Sequence, residues 1–370
     1  MIRNAGIDAL RGVSILLVVL HHTGLRIALS RTALGSFVPR RLLGALNYNG
    51  YEAVFVFFVV SGFLITSHAL TRWGTLARID VRAFYARRFA RIAPCLLCLV
   101  AALSILDLVR MPDYVITHAN QSLPRAVLAA LALHLNWYEG TTGYLPGGWD
   151  VLWSLSIEEL FYLAYPIVCL VSRRALVLAP LLAVLWLSLP ITHAALAGNE
   201  IWQEKAYLPG MAGIAVGVLT ALVHARWPRR PRWTTELLTC LGVLGIASAL
   251  FVEDLLWKQL HDATLLVLTG STAALLLGLA VPHGDRRFAR GTAWLRSCGR
   301  LSYEIYLTHM FVVFATVRLF NATGGDMRFG YLWYPPIVAA CWLLGSATER
   351  VVSSPSERAL RMRLISSAAT

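Results

Sequence analysis

Apolar residues run along this chain in long blocks. Blocks of spanning length fall at about 9–28, 51–70, 91–109, 152–172, 175–193, 207–225, 235–252, 262–281, 301–320 and 332–352, each close to the ~20 residues an α-helix needs to cross a hydrocarbon core. A shorter run, 126–137, carries His134 and Asn136 and is too brief to span, so it is expected to be re-entrant or interfacial. The connections alternate in charge. Arg72, Arg78, Arg82, Arg87, Arg88 and Arg91 follow the second block, Arg173 and Arg174 the fourth, and Arg226, Arg229, Arg230 and Arg232 the sixth. Arg286, Arg287, Arg290, Arg296 and Arg300 follow the eighth, and Arg358, Arg361 and Arg363 the tenth. The intervening connections are mixed or acidic, as at Glu200, Glu204, Glu253, Asp254 and Asp262, except the first, with Arg26, Arg31, Arg40 and Arg41. Positive-inside bias then predicts ten transmembrane helices with both termini in the cytoplasm. The expected fold is an all-α polytopic membrane protein, one transmembrane domain over 1–355 followed by a short cytoplasmic tail over 356–370.

Composition agrees. The chain is 57% hydrophobic and 14% charged, against about half and a quarter in soluble domains. Its net charge of +13 is almost wholly arginine, Lys205 and Lys258 being the only lysines. That charge sits in short connections, where topology and anionic lipid account for it better than nucleic acid does. Cys95 and Cys98 have a redox-like spacing, but no βαβ pattern surrounds them. The six cysteines read as small apolar filler. Arg11 and two histidines interrupt the first block, which marks it as a span rather than a signal peptide. There is no P-loop, no HExxH, no zinc-like Cys/His spacing and no GxSxG elbow.

Ionisable residues at membrane depth are costly and default to function. The first block, Ile7 to Gly24, holds Arg11, His21 and His22. On a helix Arg11 and His22 are about 1100° apart, nearly whole turns, and about 16 Å apart in height, so they share one stripe. The fourth block holds Glu158, at a depth similar to His22, on a stripe with Ser154, Tyr162 and Tyr165 that Glu159 does not share. A carboxylate beside an imidazole supports a general base; alternatively these groups satisfy one another. Arg87, Arg88 and Arg91 would crowd one helix face and repel, which bound phosphate would relieve. Positive-inside topology also places arginines there. His309 in the ninth block lines the same cavity or bonds a neighbouring helix. Ser61-Gly62, the glycines Gly210, Gly213 and Gly217, and Gly242 and Gly245 read as close helix packing. Trp137, Tyr138, Tyr144, Trp149 and Trp153 read as an interfacial aromatic belt, or else a sugar-stacking platform.

Five stretches together resemble the integral-membrane acyltransferase-3 family of bacterial O-acyltransferases: DALRG with its Arg11-to-His22 spacing, EAVFVFFVVSGFLIT, RRFARIAP, WSLSIEELFYLAYP and GRLSYEIYLTH. The resemblance implies a ten-helix core that moves acyl groups from cytoplasmic acyl-coenzyme A to glycan hydroxyls. It implies an essential histidine at His22 with a companion Arg11, and coenzyme A phosphates on Arg88 and Arg91, with Arg87 beside them. It implies a carboxylate at Glu158. Ser61, Trp153, Tyr162 and His309 are assigned to the substrate, and no metal is expected. The His21-His22 doublet departs from the family's usual single histidine, so His21 is a possible stand-in. No fused esterase-like (SGNH) domain is read, which resembles the stand-alone branch.

The expectation is therefore an acetyl-CoA-dependent O-acetyltransferase of the bacterial inner membrane, acting on an envelope glycan, an exopolysaccharide or a lipid-linked precursor. Its partners would be lipid and that acceptor, without nucleic acid, and a homo-oligomer is open. Acylation of a small secreted metabolite such as a macrolide, succinyl transfer, a glycan transporter or flippase, and a membrane scaffold are the alternatives.

Overall fold

The structure, a computed structural model, describes residues 4–172, 175–281 and 291–366. Helices fill the expected blocks: α1 (Ala5–Gly24), α2 (Gly50–Trp73), α3 (Val81–Leu108), α4 (Trp153–Ser172), α5 (Ala175–Leu187), α6 (Tyr207–Arg226), α7 (Arg232–Phe251), α8 (Thr264–Leu279), α9 (Ser302–Ala322), α10 (Tyr334–Thr348) and α11 (Ser354–Ser366). Among the described residues there is no strand. Local chemistry sets several ends. Asn4 caps α1 by accepting from the amides of Gly6 and Ile7 at 2.9 and 3.1 Å, and Asp80 caps α3 through the amide of Ala83 at 2.9 Å. The α2 helix stops at Gly74, whose φ of +74° suits glycine.

Eight helical stretches among the described residues are long and apolar enough to cross a membrane, which makes the chain a polytopic membrane protein. The other two expected spans are shorter. The fifth breaks at Ser188 into α5 and Leu189–Ala194, with Pro180 and Pro190 removing backbone donors. The tenth, α10, runs into a π-helical turn at Glu349–Ser353, just before Pro355, which has no N–H to continue the ladder. The 126–137 run forms parts of two short helices, Leu123–Leu131 and Leu135–Thr142, too short to cross. Residues 356–366, expected as a tail, belong to α11, which packs against α3. Arg173, Arg174, Arg286, Arg287 and Arg290 lie outside the described residues.

Two close crossings position the interior. A Cβ on Gly62 of α2 would strike the Ile214 carbonyl, and one on Gly217 of α6 the Val59 carbonyl, so these helices meet backbone to backbone. Likewise Gly12 of α1 faces the Leu295 carbonyl and Gly299 faces the Asp8 carbonyl. That second crossing brings Arg11 to the start of α9, where its Nη2 donates to Ser302 Oγ at 2.8 Å.

Candidate functional site

A cavity of about 1080 Å³ opens between the α2 C-terminus, the α3 N-terminus, the start of α9 and α11. Eight arginines line it against three carboxylates, Glu158, Glu349 and Glu357. Positive-inside bias explains arginines near a membrane face, but not their convergence on one cavity. A low-dielectric wall around such an excess of cations focuses an anion-attracting field. Arg11, Arg87, Arg88 and Arg91 all belong to this lining, as do Ser61, Glu158 and Tyr162.

Helical phase explains the arginine cluster. Arg88 and Arg91 stand three residues apart on α3, and Arg87 and Arg91 four apart, so all three share a face. Arg88 stands over the Tyr162 ring, its guanidinium carbon 3.6 Å from the ring centre. The Nε atoms of Arg87 and Arg88 are buried without a partner. Arg91 faces Glu304 at 3.1 Å and Glu357 at 3.6 Å, so its charge is partly compensated within the protein. Tyr162 bonds Ser61 through its hydroxyl and lies 3.4 Å from Glu158 Oε2. Glu158 therefore joins α2, α3 and α4 at the cavity wall.

The candidate histidines lie elsewhere. Neither His22 nor His309 lines the cavity. At its inner end stand Ser154 and Tyr306, with Ser154 Oγ donating to the Tyr306 hydroxyl at 2.8 Å. The His309 ring packs 5.9 Å from Tyr306, and His22 packs 5.1 Å from His309. His21 turns to the other side of α1, where Gly50 abuts its ring. Among the described residues no hydrogen bond joins His22 to Glu158. The sequence puts both groups at a similar height, but height along two helices does not say which neighbour a side chain faces. Trp153 is also displaced from its expected role: it is 8% exposed and packs in the core against Tyr51 and Phe58. The belt reading fails for Trp149 and Tyr138 too, which are buried, whereas Trp137 and Tyr144 are exposed.

Sequence reasoning missed a buried charge network at the His22 end of the bundle. Lys205 Nζ donates to Glu139 Oε2 at 3.0 Å and also to Asp150, with Lys205 and Glu139 almost fully buried. Glu139 Oε1 accepts from the Leu145 amide at 2.9 Å. Burial raises the Glu139 carboxyl well above its ordinary range; Asp150 adds to this and Lys205 opposes it. The signal available was that one of two lysines in an arginine-rich chain sits beside an apolar block.

The chain is 24% identical to the peptidoglycan O-acetyltransferase OatA of Listeria monocytogenes, over 94% of this chain and 55% of that protein. It is 26% identical to the putative peptidoglycan O-acetyltransferase YrhL of Bacillus subtilis, over 83% of this chain and 48% of that one. The O-acetyltransferase OatA of Staphylococcus aureus is 22% identical, over 82% and 49% respectively. The chain thus spans about half the length of the curated relatives it matches. No solved structure matches it. The acyltransferase domain model of the acyltransferase-3 family covers residues 4–348, and with that match the chain belongs to this family.

Proposed function

We propose that this chain is a membrane O-acetyltransferase that moves an acetyl group from cytoplasmic acetyl-coenzyme A to a hydroxyl of an envelope glycan or its lipid-linked precursor. The observation that carries the reading is the cavity, with eight arginines against three carboxylates and two guanidinium Nε donors left without partners. Such a cavity suits a polyanionic donor with a long uncharged arm. The phosphates would rest on Arg87 and Arg88, with Arg91 released from its carboxylates to join them. The arm would run along Ser61 and past Arg11 toward Tyr306. The names of the relatives favour acetyl over longer acyl groups and a glycan as the acceptor.

In this proposal the acceptor hydroxyl gives its proton to the imidazole of His22 while its oxygen attacks the thioester carbonyl. The carbon–sulfur bond breaks, and coenzyme A leaves as the thiol after taking the proton back from His22. The Ser154–Tyr306 contact stands between the cavity and the histidines, so the acyl end must displace it. The bacterial inner membrane is the location that such a donor and acceptor require.

The test uses membranes carrying the wild-type chain, labelled acetyl-coenzyme A and lipid-linked peptidoglycan precursor. Label should reach the glycan with wild type and stay in the donor with His22→Ala. Undiminished labelling in the variant would remove His22 from the chemistry, and the absence of coenzyme A dependence in wild type would remove the donor.

A further inference from the structure

We propose that His309 is a positioning residue for His22, an inference that rests on the catalytic role proposed for His22. The Nε2 lone pair of His309 receives one N–H of His22 and leaves the other nitrogen of His22 bare toward the acceptor hydroxyl.

Hydrogen-bond chemistry fixes the first half of this. His309 Nδ1 lies 2.7 Å from the Tyr306 carbonyl and 3.2 Å from the Ile305 carbonyl. Carbonyl oxygens only accept, so Nδ1 must carry the hydrogen. In the neutral ring Nε2 is then a lone-pair acceptor. That atom is buried without a partner, on a side chain that is 0% exposed. A buried acceptor without a donor is destabilising, and the site thus favours a neighbour that can supply an N–H.

The neighbour is His22. The two ring centres are 5.1 Å apart at 44°, which allows facing nitrogens to come within about 2.8 Å, a hydrogen-bond distance. His22 is half-buried while His309 is fully enclosed, so His22 stands on the accessible side of the pair. Rotation of the His22 ring about its terminal torsion, which is broad for histidine, aligns an N–H with the waiting lone pair. When His22 takes the hydroxyl proton it becomes a double donor, and the bond to His309 holds one of its two N–H groups. This is the arrangement in which a partner on one imidazole nitrogen sets the tautomer at the other. The other titratable or charged groups acting on His22 are His21, Arg26 and Lys205, none of which can accept a hydrogen bond except His21. His21 lies edge-on to His22, with ring centres 5.2 Å apart and planes at 80°.

The experiment compares wild type with His309→Leu, which deletes the lone pair, and His309→Gln, which keeps an acceptor oxygen. Nitrogen-15 NMR of histidine-labelled protein in lipid nanodiscs reports the tautomer of His22, whose signals are assigned by their loss in His22→Ala. Wild type and His309→Gln should show one His22 tautomer, and His309→Leu a mixture or the opposite one. Identical His22 nitrogen shifts in wild type and His309→Leu would overturn the pairing. So would a His22 tautomer in His309→Gln that differs from wild type, and this comparison stands if the leucine variant fails to fold. In the acetyl-transfer assay His309→Leu should lose roughly 100-fold in kcat with the donor KM unchanged, and His309→Gln should recover most of it. The NMR readout needs no activity: a shifted tautomer in a protein that transfers no acetyl would leave the pairing standing and end the acetyltransferase reading instead.

Discussion

Arg88 shows why residue identity matters in the cavity more than charge alone. Its planar guanidinium lies on Tyr162 with Nε turned away from any protein acceptor. Lysine would keep the charge and lose both the stack and the forked donors. A charge-assisted hydrogen bond contributes about 1.5–3 kcal/mol, so losing one forked contact to phosphate in Arg88→Lys should raise the donor KM roughly tenfold while kcat moves less. Initial rates against acetyl-coenzyme A concentration measure this, and an unchanged KM would remove Arg88 from phosphate binding. Glu158 illustrates a limit at the same scale. Its depth and its neighbour Tyr162, one turn on along the same helix, were legible from its apolar block, but its contact with Ser61 depends on how α2 and α4 are rotated against each other. A single helix does not encode that rotation.

At the scale of elements, the glycines of α6 were legible because small residues at helical spacing have few uses other than close packing. The α2–α6 crossing is so tight that a Cβ on Gly217 would meet the backbone of Val59, and backbone cannot move aside as a side chain can. Gly217→Ala should therefore destabilise by about 1–3 kcal/mol, the range for overpacking, and loosen Ser61, which neighbours Gly62 on α2. Thermal unfolding in detergent checks it; a melting temperature equal to wild type would mean that the crossing yields freely. The Lys205 network was not legible, since its partners stand 66 and 55 residues away in sequence and on a segment with no strong pattern. It fastens the helices Leu135–Thr142 and Glu200–Lys205 to the start of α4. Lys205→Met would leave Glu139 and Asp150 facing each other without a cation, and breaking a buried pair this way costs about 3–5 kcal/mol. The double variant Lys205→Met with Glu139→Gln should recover part of that loss in the same melts. No recovery would show that the lysine holds the fold by packing alone.

The whole molecule has two chemically different ends. One end opens the arginine-lined cavity between α3 and α11; the other carries His21, His22, Arg26 and the Lys205 network. Block lengths and loop charges made the spans and their order legible, but they could not show that arginines from separate connections meet in one cavity. Which end faces the cytoplasm decides whether coenzyme A can reach that cavity at all. Arg82 at the start of α3 and Glu200 before α6 are both exposed, and they stand at opposite ends. In a background without other cysteines, Arg82→Cys should resist a membrane-impermeant maleimide in intact cells and react in inverted vesicles. Glu200→Cys should do the reverse. Positive-inside bias favours this orientation, because arginine-rich connections are retained on the cytoplasmic side. Labelling of Arg82→Cys from outside would point the basic mouth away from the proposed cytoplasmic donor, and then coenzyme A could not be what those arginines hold.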